Sequence, residues 1–175
     1  MWPGLRPIAI SAALFLSAVP VVDAADAGIR PADAAGIDDF VLRGPLFLPG
    51  TTTVPIAVIR SLGELERESV SRAASRLDPI KVDEFRTFVF DGLEIYGYVG
   101  DRQELWPVRI TVTKPQWPIR DGLAVGSAAS RVAERLGAPT EVTPDVLTYH
   151  GDTQNVNFYL DAGRITRVEF IYYQD

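Results

Sequence analysis

The sequence has no cysteine and a single histidine, His150. The absence of thiols excludes disulfide bonds, cysteine nucleophiles and a lipid attached to a cysteine. The serines lack the Gly-x-Ser-x-Gly elbow of serine hydrolases, and there is no phosphate-binding loop or metal-ligand spacing. His150 and Asp152 fall in a predicted turn, where both residue types are common. We therefore expect no catalytic residue, no metal and no cofactor, and a hydrolase built on Asp, Glu and His150 is the weakest of three functional hypotheses.

Basic residues are also few: 17 lysines and arginines stand against 23 aspartates and glutamates, which gives a net charge of −6. Proteins that bind nucleic acid need a basic face, and this chain has no basic run. The charge is compatible with a basic partner but does not require one. The sequence therefore predicts that nucleic acid is not a partner.

No apolar run is long enough to cross a membrane, which takes ~20 residues. The run Ile8–Val19 is shorter, Arg6 precedes it, and Val22-Asp23-Ala24 follows it as a small-residue cleavage pattern. This order is typical of a secretory signal peptide over residues 1–24, with a retained anchor or a buried helix as the alternative. We expect a periplasmic or secreted protein that has no stable membrane span after cleavage.

The residues that follow the cleavage site are numerous enough for one domain with its own core. Residues 25–44 are rich in Ala and Asp and show no periodicity, so we predict a flexible leader there. Phe40–Leu42, at its end, is expected to be a short edge strand or an extended lead-in. Asp38 and Asp39 are assigned no partner.

Two later stretches carry the same helix signals. A helix is predicted from the cap residue Ser127 to the stop at Gly137, with one apolar stripe between them. An earlier helix is predicted from Thr53 to Gly63, with Pro55 in its first turn, where a missing N–H has no cost. The repeated pattern indicates that the chain contains two related halves.

Each predicted helix is followed by alternating strands and tight turns. The strands are predicted at 86–90, 93–99 and 105–113 in the first half, and at 146–149, 154–160 and 164–173 in the second. We therefore predict an α+β fold of two tandem helix–three-strand pseudo-repeats, which form one antiparallel sheet of about six strands with the helices packed on one face. The predicted units are a first repeat at 45–114, a linker at 115–120 and a second repeat at 121–175.

A polar segment between Gly63 and Asp83 has only a short counterpart in the second half, at residues 138–145. Apolar residues recur at helical spacing within this segment, at Val70, Ala73, Ala74 and Leu77. The spacing predicts a second helix there.

The second half also carries a set of motif residues that resembles a known superfamily. The motif has a Gly-x-x-x-Gly-Ser helix start, a Leu-Gly-x-Pro helix end, a strand ending in Tyr, and a Phe-x-Leu-Asp-x-Gly-x-Ile-x-x-Val hairpin. The residues that match it are Gly122, Gly126, Ser127, Val132, Leu136, Gly137, Pro139, Tyr149, Phe158, Leu160, Asp161, Gly163, Ile165 and Val168. The pattern resembles that of the tandem-repeat β-lactamase inhibitory protein and the SmpA/OmlA-type outer-membrane assembly lipoproteins. The resemblance implies an exported, non-catalytic module that binds other proteins, although this chain lacks the cysteines of both.

Strand alternation divides the predicted sheet into two faces. The face expected to meet the helices carries Leu93, Ile95, Val99, Val108, Ile110, Val112, Val156, Phe158, Leu160, Val168, Phe170 and Tyr172. The other face carries Glu94, Tyr96, Tyr98, Arg109, Thr111, Asn157, Tyr159, Arg167, Glu169, Ile171 and Tyr173. Tyrosine and arginine are enriched at protein interfaces, whereas the alternative is that Tyr and Thr simply suit a solvated sheet.

The candidate partner-binding residues are taken from this second face: Tyr96, Tyr98, Arg109, Asn157, Tyr159, Arg167 and Tyr173. The leading hypothesis is a module of the inhibitor, immunity or envelope-assembly accessory type that binds another exported or envelope protein. The second hypothesis is a binder of a small ligand or cell-wall fragment through the same aromatic residues. Both hypotheses require that the leader does not fold over this face.

Overall fold

The computed structural model describes residues 30–44, 52–75, 78 and 80–172. The predicted signal peptide, Leu77 and the candidate residue Tyr173 lie outside the described residues. The helices are α1 (Ala34–Leu42), α2 (Ile56–Arg60) and α3 (Ala129–Leu136), with a 3-10 turn at Arg120–Gly122. The strands are β1 (Val54–Pro55), β2 (Leu65–Ala74), β3 (Val82–Phe90), β4 (Leu93–Val99), β5 (Glu104–Val112), β6 (Glu141–Val142), β7 (Val146–His150), β8 (Gln154–Asp161) and β9 (Arg164–Tyr172).

All the described strands belong to one antiparallel sheet, in the order β2-β3-β4-β5-β9-β8-β7-β6, with β1 paired to β5. The first meander, β2–β5, meets the second, β6–β9, where Ile110 of β5 lies opposite Phe170 of β9. The predicted α+β class is confirmed, and the sheet has nine strands where about six were expected. No described helix has both the length and the apolar content that a membrane crossing demands.

One face of the sheet, the covered face, forms a single apolar core with the helices. Fully buried side chains from the strands include Phe88, Ile95, Ile110, Val156, Phe158, Val168 and Phe170, and those from the helices include Ile37, Val41, Ile59 and Val132. The period-2 prediction of this face is correct for both meanders. Val108 is only half-buried because a bulge lies between the pairs Tyr96–Arg109 and Gly97–Pro107, so Val108 has no cross-strand partner.

Helix α1 occupies residues that the sequence analysis places in a flexible leader and an extended lead-in. The Asp33 carboxylate caps it by accepting a hydrogen bond from Gly36 N. Ile37, Phe40 and Val41 follow at the i, i+3, i+4 spacing of a helix stripe and are buried. The Ala- and Asp-rich composition of residues 25–44 makes this stripe difficult to recognise in the sequence. Three apolar residues stabilise a helix only when they pack against another element, which here is the sheet.

The prediction that Asp38 and Asp39 have no partner is wrong. The Asp38 carboxylate accepts hydrogen bonds from the backbone N–H groups of 152, 153 and 154, at 2.9 to 3.2 Å. It lies so close to Gly151 that a Cβ there would be 2.1 Å from Asp38 Oδ1. Asp39 pairs with Arg43 at 2.7 Å and with Arg120 at 3.1 Å. Asp38 therefore ties α1 to the β7–β8 turn.

The helix predicted between Gly63 and Asp83 is also wrong, because Leu65–Ala74, which includes Val70, Ala73 and Ala74, is the strand β2. Strand β2 pairs with β3 from Leu65–Phe90 to Ala74–Val82. The apolar side chains of β2 are largely exposed (Val70 is 51% exposed), so they do not pack on the core as the apolar stripe of a helix would. Cross-strand pairing with β3 therefore overrides the local pattern.

The two predicted helices are present but begin later than expected. Ala128 rather than Ser127 is the N-cap of α3, and the Ser127 hydroxyl accepts a hydrogen bond from Ala124 N at 3.1 Å. Pro55 is the N-cap of α2. The predicted stop at Gly137 is confirmed: its φ of +87° suits glycine, and a Cβ there would lie 2.7 Å from Arg30 O.

Candidate functional site

The uncovered face of the sheet, which we call the open face, contains six of the seven candidate residues. Tyr96 and Tyr98 project from β4, Arg109 from β5, Asn157 and Tyr159 from β8, and Arg167 from β9. All are half-buried except Arg109, whose side chain is 47% exposed. The described part of the predicted leader does not cover them, because α1 packs on the opposite face, with Phe40 against Phe158 and Phe170 at ring-centroid distances of 6.4 and 6.0 Å.

A chain of polar contacts crosses the centre of the open face. Arg109 Nη2 lies 3.4 Å from Glu94 Oε1, and Arg109 Nε lies 3.9 Å from Glu169 Oε1. The Tyr159 hydroxyl donates to Glu169 Oε2 at 2.9 Å. The guanidinium carbon of Arg167 lies 3.6 Å from the centroid of the Tyr159 ring. These contacts join the two meanders across the β5–β9 pair.

Strand register explains why these side chains meet. Tyr96 lies opposite Arg109, Thr111 lies opposite Glu169, and Tyr159 lies opposite Arg167. Residues directly opposite on one face of a sheet have neighbouring side chains. Asn157 lies between Thr148 and Glu169 in the same row. Pairing of consecutive strands therefore brings Tyr96 to Arg109 and Tyr159 to Arg167, and the β5–β9 pair, whose strands are far apart in the sequence, brings these two sets together.

An aromatic cluster lies at the first-meander side of the open face. The rings of Phe85 and Tyr96 are stacked at 5.7 Å, and the Phe85 ring meets Tyr98 edge-on at 5.9 Å. Trp106, which is 40% exposed, lies opposite Tyr98. Sequence reasoning missed Phe85, because it placed the start of this strand at residue 86 rather than at Val82. Extending the alternation of β3 toward its N-terminal end would have found it.

A shallow pocket of about 400 Å³ lies beside the polar contacts. Polar side chains in its wall are Glu94, Arg109, Thr111, Thr113, Arg167 and Glu169. Glu94 and Glu169 were placed on this face by the sequence analysis but were not taken as candidates. Their acidic side chains balance the two arginines, so the pocket is charged yet close to neutral overall.

Arg167 differs from its neighbours in one respect. Its Nε atom is buried and has no hydrogen-bond partner among the residues that the structure describes. Buried N–H groups are nearly always paired, and Arg109, in the same pocket, contacts two carboxylates. Within the described ranges, no carboxylate forms an ion pair with Arg167.

His150 and Asp152, the other polar residues that the sequence analysis weighed, lie at and beside the end of β7 and contact other side chains. His150 Nε2 lies 3.4 Å from Glu141 Oε1 at the β6–β7 edge, and the Asp152 backbone N–H donates to Asp38. Among the described residues there is no group of three or more His, Asp or Glu side chains that could hold a metal ion. The chemistry that the open face offers is hydrogen bonding, ion pairing and aromatic contact.

No protein-family model and no curated protein matches this chain. One solved structure that is similar is the crystal structure of the uncharacterized protein yfeY from Escherichia coli. It shares 10% sequence identity with this chain, and the match covers 81% of this chain and 96% of that one, with a TM-score of 0.39. The resemblance to the inhibitory-protein and assembly-lipoprotein superfamily stays a prediction.

Proposed function

We propose that this chain is an exported, non-enzymatic module that binds another exported or envelope protein through the open face, as an inhibitor, an immunity factor or an assembly accessory does. One observation supports this proposal most strongly. Six tyrosine, arginine and asparagine side chains lie together on a sheet face that no described helix covers. A solvated sheet needs no such concentration of these residue types.

The arrangement of the side chains adds to this support. Tyr159 is held between Glu169, which accepts a hydrogen bond from its hydroxyl group, and the guanidinium of Arg167. Tyr96 is held between Phe85 and Arg109, whose guanidinium carbon is 6.0 Å from the Tyr96 ring centroid. Side chains that are already ordered lose little entropy on binding. Tyrosine in particular supplies a large contact area at a low entropy cost.

The proposal includes the origin of the two halves as tandem repeats. Each meander contributes one tyrosine and one arginine in direct cross-strand contact, Tyr96 with Arg109 and Tyr159 with Arg167. The β5–β9 pair places the two sets side by side. A repeated fold of this kind doubles the binding area without a second domain.

A double substitution tests the proposal. Tyr96→Ala with Tyr159→Ala should leave the circular dichroism spectrum unchanged, because both side chains lie outside the apolar core. It should also abolish the capture of a partner that the wild-type protein retains after crosslinking in its native envelope. The matched control is Glu134→Ala with Arg135→Ala, two exposed residues of α3 on the other side of the sheet. Partner capture that survives in the tyrosine variant, or is lost in the control, contradicts the proposal.

The pocket supports a second candidate function, the binding of a small ligand or a cell-wall fragment. Its volume of about 400 Å³ lies within the range of small-molecule sites. Thermal stabilisation by one member of a glycan or lipid panel, with no protein captured from the envelope, would favour this candidate. Protein capture without stabilisation by any panel member would exclude it.

A further inference from the structure

Arg167 has donors that no described residue uses. A guanidinium carries five N–H donors in one plane. The guanidinium carbon lies over the Tyr159 ring, 3.6 Å from the ring centroid. A guanidinium that stacks on an aromatic ring keeps its N–H groups free to donate at its edge. The buried Nε–H finds no acceptor in the described part of the chain, so Arg167 has at least one N–H donor that these residues leave unused.

The neighbouring carboxylates are already engaged elsewhere. Glu169 accepts a hydrogen bond from the Tyr159 hydroxyl group at 2.9 Å and contacts Arg109 at 3.9 Å. Glu94 contacts Arg109 at 3.4 Å. Arg109 therefore takes both acidic groups of the pocket wall, and Arg167 is left as the arginine that lacks one. The acidic partner that Arg167 lacks is a group that another molecule could supply as a carboxylate.

The position of Arg167 favours a carboxylate over a phosphate. The two-pronged edge of a guanidinium matches the two oxygens of a carboxylate. Glu94 and Glu169 line the same pocket, and their negative charges disfavour a dianion more than a monoanion. The hydroxyl groups of Thr111 and Thr113, also in the pocket wall, can donate to the bound carboxylate.

We propose that the open-face pocket is a carboxylate-binding site in which Arg167 takes an acidic side chain of the bound protein. This inference rests on the proposed protein-binding function and names the chemistry of the partner residue. Tyr159 and Glu169 act as positioning residues, because the ring fixes the plane of the guanidinium and Glu169 fixes the ring. The partner therefore presents an Asp or Glu at the centre of its contact with the sheet.

The Nε–Hε signal of Arg167 in a proton–nitrogen NMR spectrum of the intact protein tests this site. N-acetyl-glutamate amide is titrated as the probe, with N-acetyl-glutamine amide as its neutral counterpart and inorganic phosphate as a third arm. We expect a saturable shift of the Arg167 signal at about 1–10 mM N-acetyl-glutamate amide. Phosphate should bind at least several-fold more weakly, and the glutamine probe should give no shift. The matched control is the exposed Arg131 of α3, whose signal should not respond.

Arg167→Lys separates charge from geometry. Lysine keeps the positive charge but lacks the two-pronged edge, so apparent affinity for the glutamate probe, followed on the Thr111 amide, should fall about tenfold. An Arg167 signal that ignores the glutamate probe, responds equally to the glutamine probe, or prefers phosphate overturns the carboxylate site. Such a result leaves the Tyr96 and Tyr159 capture experiment intact. If the Arg167 signal responds to the glutamate probe but partner capture does not depend on Tyr96 and Tyr159, the carboxylate site stands and its assignment to a protein partner is overturned.

Discussion

On the covered face of the sheet, different contacts hold the second meander and the β2–β3 side. Over the second meander, α1 places Phe40 against Phe158 and Phe170, and the Tyr172 hydroxyl donates to Val41 O at 3.2 Å. Over β2 and β3 the same face carries a ladder of alternating charges. Its members are Arg60, Glu68, Arg86, Glu84 and Arg72, joined at 2.8 to 3.2 Å.

This difference shows that one sheet can be closed by apolar burial at one side and by ion pairs at the other. Apolar burial removes large areas from water and stabilises strongly. Ion pairs that remain partly exposed stabilise weakly, because water screens them. We therefore expect the second meander to be the stable part of the molecule and the β2–β3 hairpin to open first.

Truncation of Phe40 should have the largest effect. Phe40→Ala removes a ring that is 3% exposed and leaves a cavity between α1 and the sheet, so unfolding should become easier by about 3–5 kcal/mol. Urea denaturation measures this change. The matched control Val58→Ala removes a side chain that is 49% exposed, and its midpoint should barely move. Equal losses in the two variants would show that α1 does not close the second meander.

Asp38 should have the next largest effect. Asp38→Ala removes a carboxylate that accepts hydrogen bonds from three successive backbone N–H groups, and this should cost about 1–3 kcal/mol. Amide hydrogen exchange at Thr153 and Gln154 should accelerate more than exchange in β4. Asp39→Ala is the control, since it removes only ion pairs that are partly exposed to water. A larger loss for Asp39 than for Asp38 would contradict the role of Asp38 as the tie between α1 and the β7–β8 turn.

The charge ladder should have the smallest effect, and one that depends on pH. Hydrogen bonds and charge interactions with Arg60 and Arg86 lower the pKa of Glu68, and those with Arg86 and Arg72 lower the pKa of Glu84. A carboxylate with a lowered folded pKa stabilises the fold above its unfolded pKa, and this stability is lost as the pH falls through the folded pKa. The β2–β3 hairpin should therefore open in acid, below about pH 4, before the second meander does.

Amide exchange of residues 69–72, measured between pH 6 and pH 3, follows this opening after correction for intrinsic exchange rates. Glu68→Gln should weaken the hairpin at pH 6 and reduce the pH dependence of its protection, and Glu84 should supply the pH dependence that remains. Exchange in β8 should not follow the same pH dependence. If the hairpin keeps its protection in acid, or if β8 opens with it, the contrast between the two sides of the covered face is wrong.

The faces of the sheet could be predicted from sequence because their signal is local. Leu93 and Ile95 alternate with Glu94 and Tyr96, and this alternation assigns each side chain to a face without knowledge of the partner strand. The same reasoning placed Arg109, Tyr159 and Arg167 together on the open face. The contact of Arg109 with Glu169 needed the register of β5 against β9, which no local pattern gives.

The errors arose where distant residues decide the structure. Asp38 bonds to backbone groups 114 to 116 positions away, so nothing near it in the sequence shows its role. Strand β2 depends on its pairing with β3, which places Glu68 beside Arg86, 18 positions away, whereas the local spacing of Val70, Ala73 and Ala74 favours a helix. Helix α1 forms its stripe only against the completed sheet. Each case is one in which tertiary contacts outweigh local propensity.

Site-directed photocrosslinking in the native envelope tests the account most directly. In one variant, a benzophenone amino acid replaces Thr111 at the centre of the open face. In the other, it replaces Glu134, which lies on α3 at the opposite side of the sheet. Thr111→benzoylphenylalanine should yield a crosslink to a single envelope protein, and Glu134→benzoylphenylalanine should yield none. Crosslinks from position 134 in the absence of any from position 111 would contradict the assignment of the open face as the binding surface.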